Sequence, residues 1–70
     1  MDPWLEAAAA TLGGAEISDA DAKTLLEIAA VAAHESGART NAPLLCYLVG
    51  RLQGDRPLDE ILEAVRGSSS

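Results

Sequence analysis

The sequence predicts an all-α domain, a compact bundle of four short helices at about 3–12, 19–36, 42–53 and 57–66. Three observations carry that prediction. Apolar residues recur at helical spacing within each segment. Capping residues and glycines punctuate the segments at both ends. No alternating apolar and polar run exceeds four residues, which leaves no strand to assign.

In the first segment Asp2 is placed to cap the helix, and Pro3 suits the first helical position, where its missing N–H would have no partner anyway. Gly13 suits the left-handed position after the last turn. Trp4, Leu5, Ala8, Ala9 and Leu12 share one face, and Trp4 is expected to anchor that face in the core, with an interface role as the alternative. The second segment opens at Ser18-Asp19-Ala20-Asp21, a variant of the capping box, and stops at Gly37. Its apolar face is expected to comprise Leu25, Leu26, Ile28, Ala29, Ala32 and Ala33. Lys23, Glu27 and His34 fall on the opposite side, with Val31 beside them, away from the core and a candidate interface residue.

The third segment has Asn41 as its candidate cap, Pro43 in its first turn and Gly54 as its stop. Leu44, Leu45, Leu48, Val49 and Leu52 span a wide arc with Tyr47 at its edge, which predicts a central helix touching several others and Leu48 at the middle of the buried face. Cys46 and Gly50, small and four apart, are expected to let another backbone come close. In the fourth segment Leu58, Ile61, Leu62 and Val65 form an amphipathic stripe, and Asp59 and Glu60 suit the positive end of the helix dipole. Gly67 is expected to end it. Residues 1–67 thus read as one domain and 68–70 as a loose tail.

Composition narrows the function classes. One cysteine excludes a disulfide framework, and one cysteine with one histidine cannot furnish a usual structural zinc site. A 70-residue chain without staples is expected to be marginally stable and to gain from association. The net charge of −6 argues against nucleic acid and against anionic membranes as partners, because both are bound mainly through Lys and Arg. The five basic residues are scattered, and no run approaches the roughly 20 apolar residues of a membrane span. The opening Met-Asp-Pro-Trp lacks the positive region of a signal peptide, so the expected compartment is the cytoplasm.

Polar residues concentrate between the second and third segments, at His34-Glu35-Ser36-Gly37-Ala38-Arg39-Thr40-Asn41. Two readings are open. As an anion site, the third helix would offer free amides while Arg39 and His34 add positive charge, although Pro43 removes one amide. As a structural turn, Asn41 or Thr40 would cap the third helix, and His34 and Arg39 would meet the carbonyl end of the second. The structural reading weighs more. Either way Arg39 is expected to hold something, because its planar fork of donors follows a helix end with unpaired carbonyls. Catalysis is not expected. His34 has no nucleophile or orienting group in reach, since Glu27 lies about 10 Å away along the same helix. Cys46 has no basic neighbour to activate it. A helix-turn-helix reader of DNA would need the third helix to enter the groove, and that helix is mostly Leu, Val and Tyr.

The stretch Ala33-His34-Glu35-Ser36-Gly37-Ala38-Arg39-Thr40-Asn41-Ala42-Pro43-Leu44 and its continuation Tyr47-Leu48-Val49-Gly50 resemble a known family, as do Trp4-Leu5 and Leu25-Leu26. The resemblance is to a small bacterial helical domain of uncharacterised function, found fused to or encoded beside molybdenum cofactor guanylyltransferases and formate dehydrogenase components. It runs from Trp4 to about Val65. The transferase's own glycine-rich nucleotide loop and acidic metal site are missing here, so nucleotide transfer by this chain is not expected. The resemblance implies a non-catalytic accessory domain or small subunit. Its larger partner would be a molybdoenzyme or a guanylyltransferase, and the molybdenum cofactor would belong to that partner. The alternatives are a module that self-associates as a homo-oligomer and a binder of anionic cofactor phosphates at the Arg39 turn.

Overall fold

Every helix leaves backbone groups unpaired at its ends, and the residues that satisfy them set its boundaries. In a computed structural model, which describes residues 2–14 and 16–68, these boundaries define α1 (Pro3–Leu12), α2 (Asp19–Ser36), α3 (Asn41–Leu52) and α4 (Leu58–Ser68). No strand occurs among the described residues. At the start of α1 the Leu5 amide donates to Asp2 Oδ1 at 2.9 Å. At its end Gly13 has φ +127°, and the amides of Gly13 and Gly14 donate back to Ala10 O and Ala9 O at 3.3 and 2.7 Å. That pair of bonds is the glycine-dependent Schellman closure. The Asp21 amide donates to Ser18 Oγ at 3.1 Å and starts α2, and Gly37 closes it in the left-handed region at φ +70°. Ser18→Ala is therefore expected to cost about 0.5–2 kcal/mol, the usual loss for an N-cap, read as a lower urea midpoint at unchanged slope.

Both ends of α3 and the start of α4 lie one residue from expectation, and the end of α4 departs furthest. α4 continues through Gly67 to Ser68 instead of ending at Arg66. Glycine in a helix costs only about 1 kcal/mol relative to alanine, so without a following turn signal it does not enforce a stop. The expected loose tail thus begins with a helical residue, and its last two positions, 69 and 70, lie outside the described residues.

The central helix is α2. It packs along both α3 and α4, whereas the sequence pattern assigns that role to α3. The core is Ile28, which is fully buried, with Val49, Leu58, Ile61 and Leu62 around it; Leu25, Val31, Leu45 and Val65 pack against this cluster. Two expectations for α2 are corrected. Val31 is partly buried against the core and does not face away from it, so it is not a free interface residue. Leu26 is 71% exposed. The buried face of α2 is turned roughly a quarter of a revolution towards Val31. Alanines encircle α2 and blur its amphipathic direction. The ridge of Leu25, Ile28, Val31 and Ala32 presents more bulk to the α4 stripe than the Leu26 side can.

The fourth helix behaves as its sequence predicts, burying Leu58, Ile61 and Leu62. Arg66 extends from it to Glu27 on α2 at 3.5 Å and to Glu63 at 3.4 Å. These side chains are well exposed, so the pairs contribute a few tenths of a kcal/mol at most. The first helix is the outlier. It buries no residue, and it makes no extensive packing contact with any other helix. Trp4, expected in the core, is 74% exposed.

Candidate functional site

The turn between α2 and α3 is built differently from either reading of its sequence. Ser36, which sequence reasoning passed over, closes it. Its hydroxyl donates to Ala32 O and accepts from the Ala38 amide at 3.2 Å. A serine directly before a helix-ending glycine is the available signal, because its hydroxyl reaches the carbonyl four residues back. His34 and Arg39 do not meet the carbonyl end of α2. Both are exposed, and neither side chain has a hydrogen bond or ion pair among the described residues. Thr40 occupies the cap position of α3 but makes no side-chain capping bond, and Asn41 is already the first helical residue.

Backbone alone starts α3. The Asn41 amide donates to Ala38 O at 3.0 Å and the Ala42 amide to Arg39 O at 3.1 Å. The next residue, Pro43, has no amide hydrogen. The first three positions of the helix therefore present no free N–H to an anion. His34, Arg39, Thr40 and Asn41 are all exposed, and no side-chain hydrogen bond or ion pair joins them among the described residues. Since the exposed Arg39 side chain has no hydrogen bond or ion pair among the described residues, Arg39→Ala is expected to leave the stability of the isolated chain within about 0.5 kcal/mol of wild type. An effect of Arg39 is then visible only in binding.

Cys46 is half-buried on α3, and burial pushes its thiol above the ordinary value, the opposite of nucleophilic activation. Gly50 has no atom within 4 Å of where a Cβ would stand, so the expected close backbone approach along Cys46 and Gly50 does not occur. Among the described residues no group of three or more His, Cys, Asp or Glu side chains could hold a metal ion. No described helix is long and apolar enough to cross a membrane.

What distinguishes the surface is its apolar area. The wide arc on α3 is only partly used. Val49 is 5% exposed, but Leu48 beside it is 51% exposed, and Leu44, Tyr47 and Leu52 are more open still. Leu48 is therefore not the centre of the buried face; Val49 is. Between α3 and α4 the helices leave an open groove of about 300 Å³, lined by Leu45, Leu48, Val49, Leu52, Ile61, Ala64 and Val65, with Arg56 at its lip. Arg56 is held there by a hydrogen bond to Leu52 O at 3.1 Å, while its own carbonyl accepts from Gln53 Nε2 at 3.0 Å. Nearby on α3, Arg51 donates to Tyr47 Oη at 3.2 Å and lies over its ring.

The accessible surface measures 5250 Å². A folded monomer of this 7.2 kDa mass ordinarily exposes only about 4100 Å². Fold and surface together define a class: a small all-α domain with large apolar side chains left exposed on α1, α2 and α3. More particularly, the chain belongs to the family described as a domain of unknown function, DUF6457, which matches residues 1–69. No curated protein and no solved structure matches it.

Proposed function

We propose that this chain is a non-catalytic accessory domain or small subunit that docks through apolar surface onto a larger protein. The observation that supports the reading is the set of eight large apolar side chains left exposed among the described residues: Trp4, Leu5, Leu12, Leu26, Leu44, Tyr47, Leu48 and Leu52. Single exposed leucines are ordinary, but this many large apolar side chains left open on so small a domain favour an interaction surface. Trp and Tyr among them are typical interface anchors. The identity of the partner rests on the resemblance in the His34–Leu44 stretch. The partner is accordingly a molybdenum-dependent oxidoreductase such as formate dehydrogenase, or the guanylyltransferase that matures its cofactor, and the molybdenum cofactor resides there.

The test is co-purification of the tagged chain with that enzyme from cells grown with molybdate, followed by reconstitution from the two purified proteins. A stoichiometric complex that is lost with Leu26→Glu or Tyr47→Ala supports the reading. Both side chains are exposed, so neither change disturbs the core. Failure of the purified proteins to form a complex overturns the reading. Arg39→Lys in the same assay examines recognition at the turn: weaker binding with an unchanged melt marks Arg39 as a contact residue.

A further inference from the structure

The first helix is fastened to the rest of the molecule by little more than the covalent chain. We infer that α1 is a detachable arm: it melts, re-forms and changes position without opening the core that α2, α3 and α4 build. The inference concerns the chain by itself and does not rest on the docking reading.

Elements of a small domain unfold together because they share buried surface, and one that shares almost none opens on its own. The core cluster and the residues packed against it come from α2, α3 and α4 alone. In α1 only Ala8 and Ala9 are even half-buried, and its other eight residues are exposed. Those two alanines bring one methyl group each, whereas Trp4, Leu5 and Leu12 hold most of the apolar surface of the helix and stand open. The capping and side-chain hydrogen bonds of this segment also stay inside it. Asp2 accepts from the amides of Leu5 and Glu6, Thr11 Oγ1 donates to Ala7 O at 3.1 Å, and Gly13 and Gly14 donate to Ala10 O and Ala9 O. Each of these bonds begins and ends within residues 2–14.

Local chemistry holds α1 only near balance. The Asp2 cap, the four alanines at 7–10 and the glycine closure all favour the helix. Its 10 residues nevertheless fall below the roughly 12–15 at which an isolated helix becomes even marginal in water. α1 therefore exchanges between helix and coil, on the order of a microsecond, while the packed helices open only with the whole domain.

The joint suits such a motion. Gly13 and Gly14 have φ +127° and +86°, and no atom lies within 4 Å of where a Cβ on either would stand. Nothing packs on the pair to fix it, and glycine resists a change of φ less than any other residue. The pair also interrupts the backbone ladder, so helix does not propagate from α2 into α1. Ser18 starts α2 separately, by capping it. Trp4, Leu5 and Leu12 are thus carried on an arm whose position is set independently of the core.

Hydrogen exchange and urea unfolding of the whole chain, at a dilution where it is monomeric, test this. Amides of α1 should exchange within about tenfold of the unstructured rate, and those around Ile28 at least about a thousand-fold more slowly. Asp2→Ala and Ala7→Gly, both at exposed positions, should weaken the helical signal of the native chain and leave the cooperative urea midpoint where it is. Ser18→Ala is the control, since it weakens α2 and lowers that midpoint. The emission of Trp4, the sole tryptophan, should not follow the transition seen at 222 nm. Three results would each overturn the inference, because each requires α1 to be coupled to the core. They are α1 amides as protected as those of α2, a midpoint lowered by Asp2→Ala or Ala7→Gly, and a Trp4 emission that moves with the circular dichroism.

Discussion

Ile28→Ala is expected to remove about 2–5 kcal/mol of stability, the range for emptying a buried aliphatic site. Among the described residues Ile28 is the one large side chain that is fully buried, and α3 and α4 both pack on its helix. A domain of this length has about 4–10 kcal/mol in total. The variant should therefore be partly or wholly unfolded at 25 °C, with the 222 nm circular dichroism of the native chain reduced before any urea is added. Ile28→Val, which removes one methyl group, should cost only about 0.5–1.5 kcal/mol and remain folded. Wild-type urea midpoints for both variants would mean that the core is centred elsewhere.

Val49→Asp and Leu48→Asp should give opposite outcomes at adjacent positions. Val49 packs against Ile28 and the α4 stripe, where a carboxylate would have neither water nor a partner. Burying an unpaired charge costs several kcal/mol, enough to abolish folding here. Leu48 is half-open at the mouth of the groove, so its aspartate stays hydrated and the isolated chain keeps its helical spectrum. Two unfolded variants would place Leu48 in the core after all, and two folded ones would mean that α3 is turned away from α2.

The ends of α1 and α2 were legible in the sequence because capping is local chemistry. Asp2, Gly13, Ser18 and Gly37 each act within a few residues of themselves, and each does in the structure what its type and position predict. The stripe on α4 was legible for a related reason: acidic residues separate its apolar positions cleanly, so only one face can be buried. The candidate site was less legible. The polar cluster from His34 to Asn41 looked like a place where side chains meet. In the structure backbone carbonyls and Ser36 close the turn, leaving His34 and Arg39 in solvent.

Where apolar residues surround a helix, its sequence allows several rotations, and the choice among them falls to the neighbours. α2 carries alanine or leucine on nearly every side, and α3 carries five aliphatic residues across a wide arc. Turning either helix by a quarter revolution exchanges one apolar face for another at little cost in burial. Ile28, Val31 and Val49 face inward because α4 offers a single narrow stripe, and α2 is the helix that can cover it while also holding α3. Tertiary packing thus decided that Val31 belongs to the core, that Leu26, Leu44 and Leu48 remain outside, and that α1 has no berth within its own chain. Capping depends on contacts within one turn of the backbone and is written residue by residue. The open groove exists only because three helices cannot use all the apolar surface that four of them carry.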